Sequence, residues 1–298
     1  MSGKRKKAVR EQLTATVFLL PSLIGLILFS LIPLVFSLFI SLTDWNFLNG
    51  MGSWNIIGFK NFIDMWTDEW FLASLKNTFI YTIVVVPIGL ILALVIAALI
   101  DSFISDKLAN VLRVTMYMPK ICNIVASAAI WIMLYSTYGP FTQLMRLLGW
   151  KNPPHFLASY TWALPAIMLM SIWSGLGYHI FIYSAGMAGI SRDLYEAAEL
   201  DGASSVQKFF YVTIPQLRPT TFFLTITGII GSFKVFGSVN VMTQGGPGHS
   251  TYTLVYYIYK SAFSYYNMGY ASAIAVILFL ILLVVTLIQW KHNNGSSD

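Results

Sequence analysis

The side chains able to do chemistry are few and scattered. His155, His179, His249 and His292 never fall at a spacing that puts two ligands on one helix face, so no metal site is expected. The single cysteine, Cys122, lies in an apolar run and excludes both an internal disulfide and a cysteine metal site. No glycine-rich loop ends in Gly-Lys-Ser/Thr, the cradle that backbone N–H groups and a lysine form around nucleotide phosphates. Any ATP must therefore be bound by another chain, and no Ser/His/acid order can be argued for catalysis. What remains is a set of polar residues inside oily stretches, where polar groups are costly and a function is the default reading. Lys234 stands beside Phe233 and Phe236; a lysine there can snorkel, pair with a neighbouring carboxylate, or meet a substrate. Asn123, Ser127, Ser232, Ser238 and Asn240 can hold a polyhydroxylated solute or join helices. Tyr178 follows Ser174-Gly175, where glycine leaves room and an aromatic face can stack on a sugar or pack against another span.

The elements that must position these residues are membrane spans. The chain has 298 residues, 57% of them hydrophobic and 10% charged, with a mean hydropathy of +0.70, against roughly 25% charged in a soluble domain. A net charge of +6 does not point to nucleic acid, because Lys4, Arg5, Lys6, Lys7 and Arg10 cluster at the start, where they anchor a first span on the cytoplasmic side. Crossing a bilayer takes roughly 20 apolar helical residues, and six such runs are present. They are Val17 to Leu42, Phe79 to Ile100, Val114 to Tyr135, Trp162 to Ala188, Phe222 to Val241 and Ala271 to Trp290. The third is the least oily. With both termini inside, Lys107, Arg113, Arg192, Lys208, Arg218 and Lys291 join the five N-terminal cations on the cytoplasmic face. Lys60, Lys76, Arg146, Lys151 and Lys260 fall outside, an asymmetry of the kind the positive-inside rule expects.

Between the fourth and fifth spans, on the cytoplasmic face, lies a polar interruption from Leu194 to Pro219. Leu194 to Leu200 are good helix formers, and Asp201-Gly202 follows as a stop, since glycine just past a helix end takes the left-handed conformation cheaply. Ser204 or Ser205 can cap a second short helix, which Ile214-Pro215 and Pro219 are expected to end. Such a helical elbow is a shape for docking another protein.

Glu196-Ala197-Ala198, Asp201-Gly202-Ala203, Ile214-Pro215 and Leu217-Arg218-Pro219 resemble the EAA loop of bacterial ABC-importer permeases. The resemblance extends over nearly the whole chain. Phe18 to Pro21 with Ile32-Pro33, Gly58 to Phe62, Asn77-Thr78, Ile130-Trp131, Met242 to Gly248 and Ala271 to Ala273 are similar to the maltose-type and multiple-sugar-type branch. The fold it implies is all-α, a polytopic membrane protein with six transmembrane helices of the type I importer kind. It implies a transport subunit, not an enzyme, for an oligosaccharide. Its ATPase-coupling residues would be Glu196, Ala197, Ala198, Asp201, Gly202, Ala203, Phe209 and Pro215. The substrate pathway would be lined by Ser174, Gly175 and Tyr178 in the fourth span and by Ser232, Phe233, Lys234, Phe236 and Asn240 in the fifth. Lys234 departs from a neutral-sugar site and leaves an anionic or phosphorylated substrate open.

Implied partners are a second homologous permease, two ATPase subunits carrying ATP and Mg, an extracytoplasmic sugar-binding protein, the sugar and membrane lipid, with no nucleic acid. The chain itself would bind no cofactor. The division expected is a basic cytoplasmic N-terminus (1–15), a first transmembrane helix (16–43), an extracytoplasmic loop (44–76), a core permease domain (77–291) holding the coupling loop (194–219), and a cytoplasmic tail (292–298). Both termini would face the cytoplasm from a bacterial inner membrane. Alternatives are a permease for glycerol phosphate or an amino-sugar, or a membrane-embedded glycosyl or lipid transferase.

Overall fold

A computed structural model describes residues 14, 16–50 and 52–294. The basic cluster from Lys4 to Arg10 and the end of the tail lie outside the described residues. The described chain is helical, with two isolated β-bridges and no strand. It divides into two compact units, one comprising residues up to 65 with 258–277, the other 66–257 with the rest of the last helix.

The first unit begins with α1 (Thr16–Ile40), an apolar helix of which only 6% of the most hydrophobic window is buried. That exposure suits a lipid-facing span. A π-turn at Ile27–Leu31 precedes Pro33, which sits in the first turn after it, where a missing N–H is tolerated. Below α1 the chain is pinned by one side chain. Asn61, on the short helix α2 (Lys60–Asp64), donates from Nδ2 to the carbonyls of Ser41 and Thr43 at 2.9 and 2.8 Å. Gly58 turns the chain towards it with φ +63°. The Asn55 backbone N–H and amide both donate to Asp44 and hold its carboxyl below the ordinary range. Gly269 packs so closely on the carbonyl of Thr43 that a Cβ there would lie 2.1 Å from the oxygen.

The second unit is built on α3 (Glu69–Phe103), α4 (Asp106–Ile121), α5 (Ile124–Leu134), α6 (Pro140–Leu147) and α7 (Ala163–Ala188). Its inner end adds α8 (Arg192–Leu200), α9 (Ser205–Lys208) and α10 (Ile214–Gln216). Then follow α11 (Arg218–Phe233), α12 (Gly237–Met242) and α13 (Leu254–Tyr259); α14 (Met268–Asn294) is the last helix of the chain. The core joins Val86, Leu90, Ala93 and Ala97 of α3 to Ile180 and Tyr183 of α7 and to Leu217 and Leu224. Small residues set these approaches. At Gly177 a Cβ would stand 1.8 Å from the Met116 carbonyl oxygen, so α4 lies against bare α7 backbone.

Among the described residues four helices are long and apolar enough to cross a membrane, and a bent pair raises the number to five. Three expected stretches differ in detail. The second span starts earlier, because Asp68 accepts from Trp70 N–H and caps α3 at Glu69; residues 69–76 are helix, not loop. The third is bent by 98° between α4 and α5. Cys122 and Asn123 are extended there, and Asn123 accepts from the Val125 N–H, so its polarity starts a helix. The fifth is interrupted, since α11 ends at Lys234 and Phe236 leaves the helical region before α12 resumes.

Candidate functional site

The elbow takes its shape from local rules. Ser191 caps α8 through the Asp193 N–H. At its far end Gly202 has φ +77°, and its N–H bonds the Glu199 carbonyl while the Ala203 N–H bonds that of Ala198. This paired closure satisfies the last carbonyls and requires the left-handed residue. Ser204 then caps α9 in a reciprocal box with Gln207. Lys208 closes the angle by reaching the Glu199 carboxylate at 2.5 Å.

Pro215 and Pro219 do not end the second helix as expected. The chain continues through a π-turn at Phe209–Thr213, and each proline stands in the first turn of a following helix, where its absent N–H is no loss. The residue before Pro215, Ile214, stays helical because the π-turn makes room for the ring.

Of the expected coupling residues, Glu196, Ala197, Asp201 and Gly202 are exposed, and Ala198, Ala203, Phe209 and Pro215 are half-buried. Sequence reading missed the two most prominent side chains of this face. Leu200 is 91% exposed and Tyr211 79%, an apolar display on an otherwise polar bend. The other side of the elbow is fixed to the bundle. Tyr195 Oη bonds Thr213 Oγ1 at 2.9 Å, and Leu217 is buried in the core. A Cβ at Gly186 would meet Leu217 Cδ2 at 2.8 Å and Thr220 Oγ1 at 2.9 Å, so α7 and the start of α11 are in direct contact. Nearby, Arg113 of α4 ties Asp101 of α3 to Ser184 of α7.

A second feature is a cavity of about 360 Å³ between α3, α4, α7 and α11. Ser174, Gly175, Tyr178, Ser232 and Phe236 line it, five of the eight expected pathway residues. Phe233 is buried edge-on against Phe79 instead, and Lys234 is exposed at the end of α11. Asn240 lies on α12 and is half-buried. Ser232 is already engaged, donating to Thr82 Oγ1 and the Ile229 carbonyl, so it joins α11 to α3. The cation in the cavity wall is Lys120, whose Nζ sits 5.8 Å from the centre of the Tyr178 ring. Tyr81, Ser171, His179, Thr227 and Ser238 add to the polar lining, and His179 Nδ1 is buried without a hydrogen-bond partner. The Pro119-Lys120 pair just before the helix break was the available signal for this part of the wall, but a straight third span concealed which way it faces.

A bundle of long apolar helices with an exposed polar elbow and a lined interhelical cavity defines a membrane transport component. The chain belongs to the family of binding-protein-dependent transport system inner membrane components, which matches residues 78–292. It is 31% identical over 284 residues to the probable ABC transporter permease protein YurN of Bacillus subtilis, covering 95% of this chain and 96% of the relative. It is 31% identical over 281 residues to the lactose transport system permease protein LacF of Rhizobium radiobacter, covering 92% of each. A bacterial ABC transporter involved in the import of the acidic polysaccharide alginate has a chain of the same fold, with a TM-score of 0.85 at 21% identity, over 99% of this chain and 100% of that one. The chain is thus an ABC-importer permease, a transport subunit and not an enzyme.

Proposed function

We propose that this permease forms one half of the pathway of an ATP-driven saccharide importer and is driven through the elbow at 194–219. The observation that carries the reading is the elbow itself. Its outer face is preset by Gly202 and the Ser204 box and bears Glu196, Leu200 and Tyr211, while its inner side is anchored by Leu217 in the bundle core. A partner gripping the outer face therefore moves α7 and α11 together, and these helices wall the cavity. Alternating access follows if closure of an ATPase pair, holding ATP and Mg, rocks this bundle against a second homologous permease. Glu196 would pair with a cation of one ATPase subunit, and a sugar-loaded extracytoplasmic binding protein would deliver substrate from the other side.

The saccharide reading rests on the lactose permease likeness and on the cavity chemistry, in which Tyr178 offers a stacking face beside Ser174 and Gly175. The chain crosses the membrane six times when the α4–α5 and α11–α12 stretches each count once, leaving both termini in the cytoplasm. The division into a first transmembrane helix (16–43), an outer segment (44–76) and a core (77–291) is retained as part of this proposal. The test is affinity purification of the tagged chain from its own membranes. An ATPase subunit should co-purify, and Glu196→Lys should lower its recovery at equal permease yield. Purification without any ATPase would remove the reading.

A further inference from the structure

We propose that Lys120 is the counter-charge for an anionic group on the transported saccharide. The inference deepens the saccharide reading above and rests on it.

Among the residues lining the cavity of α3, α4, α7 and α11 there is one cation, Lys120, and no carboxylate. No ion pair joins Lys120 to an acidic side chain among the described residues, where the pairs are Arg113 with Asp101 and Lys208 with Glu199. Lys120 is exposed, so its ammonium in the cavity wall is open to a ligand. Two local features favour its positive charge. The Tyr178 face stands 5.8 Å from Nζ, and Lys120 occupies the last turn of α4, where the helix dipole favours positive charge. Neither supplies a full negative charge, and neither occupies the hydrogen-bond donors of the ammonium.

The rest of the wall is suited to a sugar. Tyr81 and Tyr178 are aromatic, Ser174 carries a hydroxyl, and the buried Nδ1 of His179 has no partner. His179 lies next to Gly175, whose missing side chain leaves its ring within reach of the cavity, 3.5 Å from where a Cβ would be. The cavity thus offers aromatic side chains, neutral hydrogen-bonding groups and one cation without a carboxylate partner. That combination matches a saccharide bearing a carboxylate, which the open ammonium of Lys120 can meet. Lys234, the cation singled out in the sequence, does not line this cavity, so the charge argument transfers to Lys120.

The test uses the natural host with its complete transporter. Strains deleted for this chain, or carrying Lys120→Met or Lys120→Arg, are assayed for initial uptake of labelled maltose, lactose, galacturonate and digalacturonate, with permease abundance measured by immunoblot. Deletion should abolish uptake of a uronate and leave both neutral sugars unchanged. Lys120→Met should lower that uptake roughly tenfold or more, the scale of a lost charged hydrogen bond. Lys120→Arg should restore most of it by keeping the charge. Loss of maltose or lactose uptake on deletion, or uronate uptake at the parental rate in Lys120→Met, would overturn the proposal and leave the saccharide reading standing. If deletion changes none of the four, no uronate is carried and the inference fails.

Discussion

At the scale of single residues, the glycines separate packing from conformation. Gly177 and Gly175 stand two residues apart on α7 and have opposite surroundings. A Cβ at Gly177 would overlap the Met116 carbonyl, a backbone atom that cannot move without shifting α4. A Cβ at Gly175 would touch only the edge of the His179 ring at 3.5 Å. Gly177→Ala should therefore cost about 1–3 kcal/mol as an overpacked contact and lower the melting temperature in detergent, whereas Gly175→Ala should not. Equal melting of the two variants would disprove the close approach. Gly202 is the converse case, with open space around it but φ +77°. Gly202→Val forces a β-branched residue into the left-handed region at about 1–2 kcal/mol, so the elbow should change angle and uptake should fall while membrane abundance holds. Gly202→Asn, which visits that region readily, should retain most of the transport. Uptake by the valine variant at the parental rate would detach the elbow angle from function. The left-handed stop was legible in the sequence because Asp-Gly after a run of helix formers has a local cause. The Gly177 contact was not, because its cause is a residue on another helix.

At the scale of elements, the sequence located the oily runs and missed their breaks. Hydropathy marks where a span is oily, but α4–α5 and α11–α12 are interrupted by backbone capping, which hydropathy does not register. Asn123 was read among groups that could hold a solute; it caps α5 and is spent on the Val125 N–H. Ser232 likewise spends its hydroxyl on Thr82 and Ile229. The motif pairs quoted for the family resemblance prove to be joints of the fold. Asn61 ties the segment after α1, and Asn77 donates from Nδ2 to the carbonyls of His249 and Tyr252, both at 3.0 Å. Beside it, Thr78 Oγ1 accepts from the Leu254 N–H at 2.9 Å. These two neighbours of α3 thus fasten the glycine-rich loop that follows α12. Asn77→Leu would leave two carbonyls without their donor, about 1–3 kcal/mol if they stay dry. The expected result is faster limited proteolysis within residues 243–253, with helicity by circular dichroism unchanged. Parental protection of the loop would show that the amide is not what holds it.

At the scale of the whole molecule, orientation is the property on which the elbow's role depends, and it can be read directly. The orientation proposed above has the 194–219 bend inside and residues 136–161 outside, and two side chains mark these segments well. Leu200 is 91% exposed on the bend, and Tyr138 is 81% exposed beyond α5. Because the chain has a single cysteine, Cys122, a Cys122→Ser background is free of thiols. In that background Tyr138→Cys should react with a membrane-impermeant maleimide on intact cells, and Leu200→Cys should react only after the membrane is opened. An ATPase works from the cytoplasm, so only this orientation lets it grip the outer face of α8 and α9. Reaction of Leu200→Cys on intact cells would place the bend outside, where no ATP-driven partner could reach it. Transport by rocking of α7 and α11 would then have no source of force.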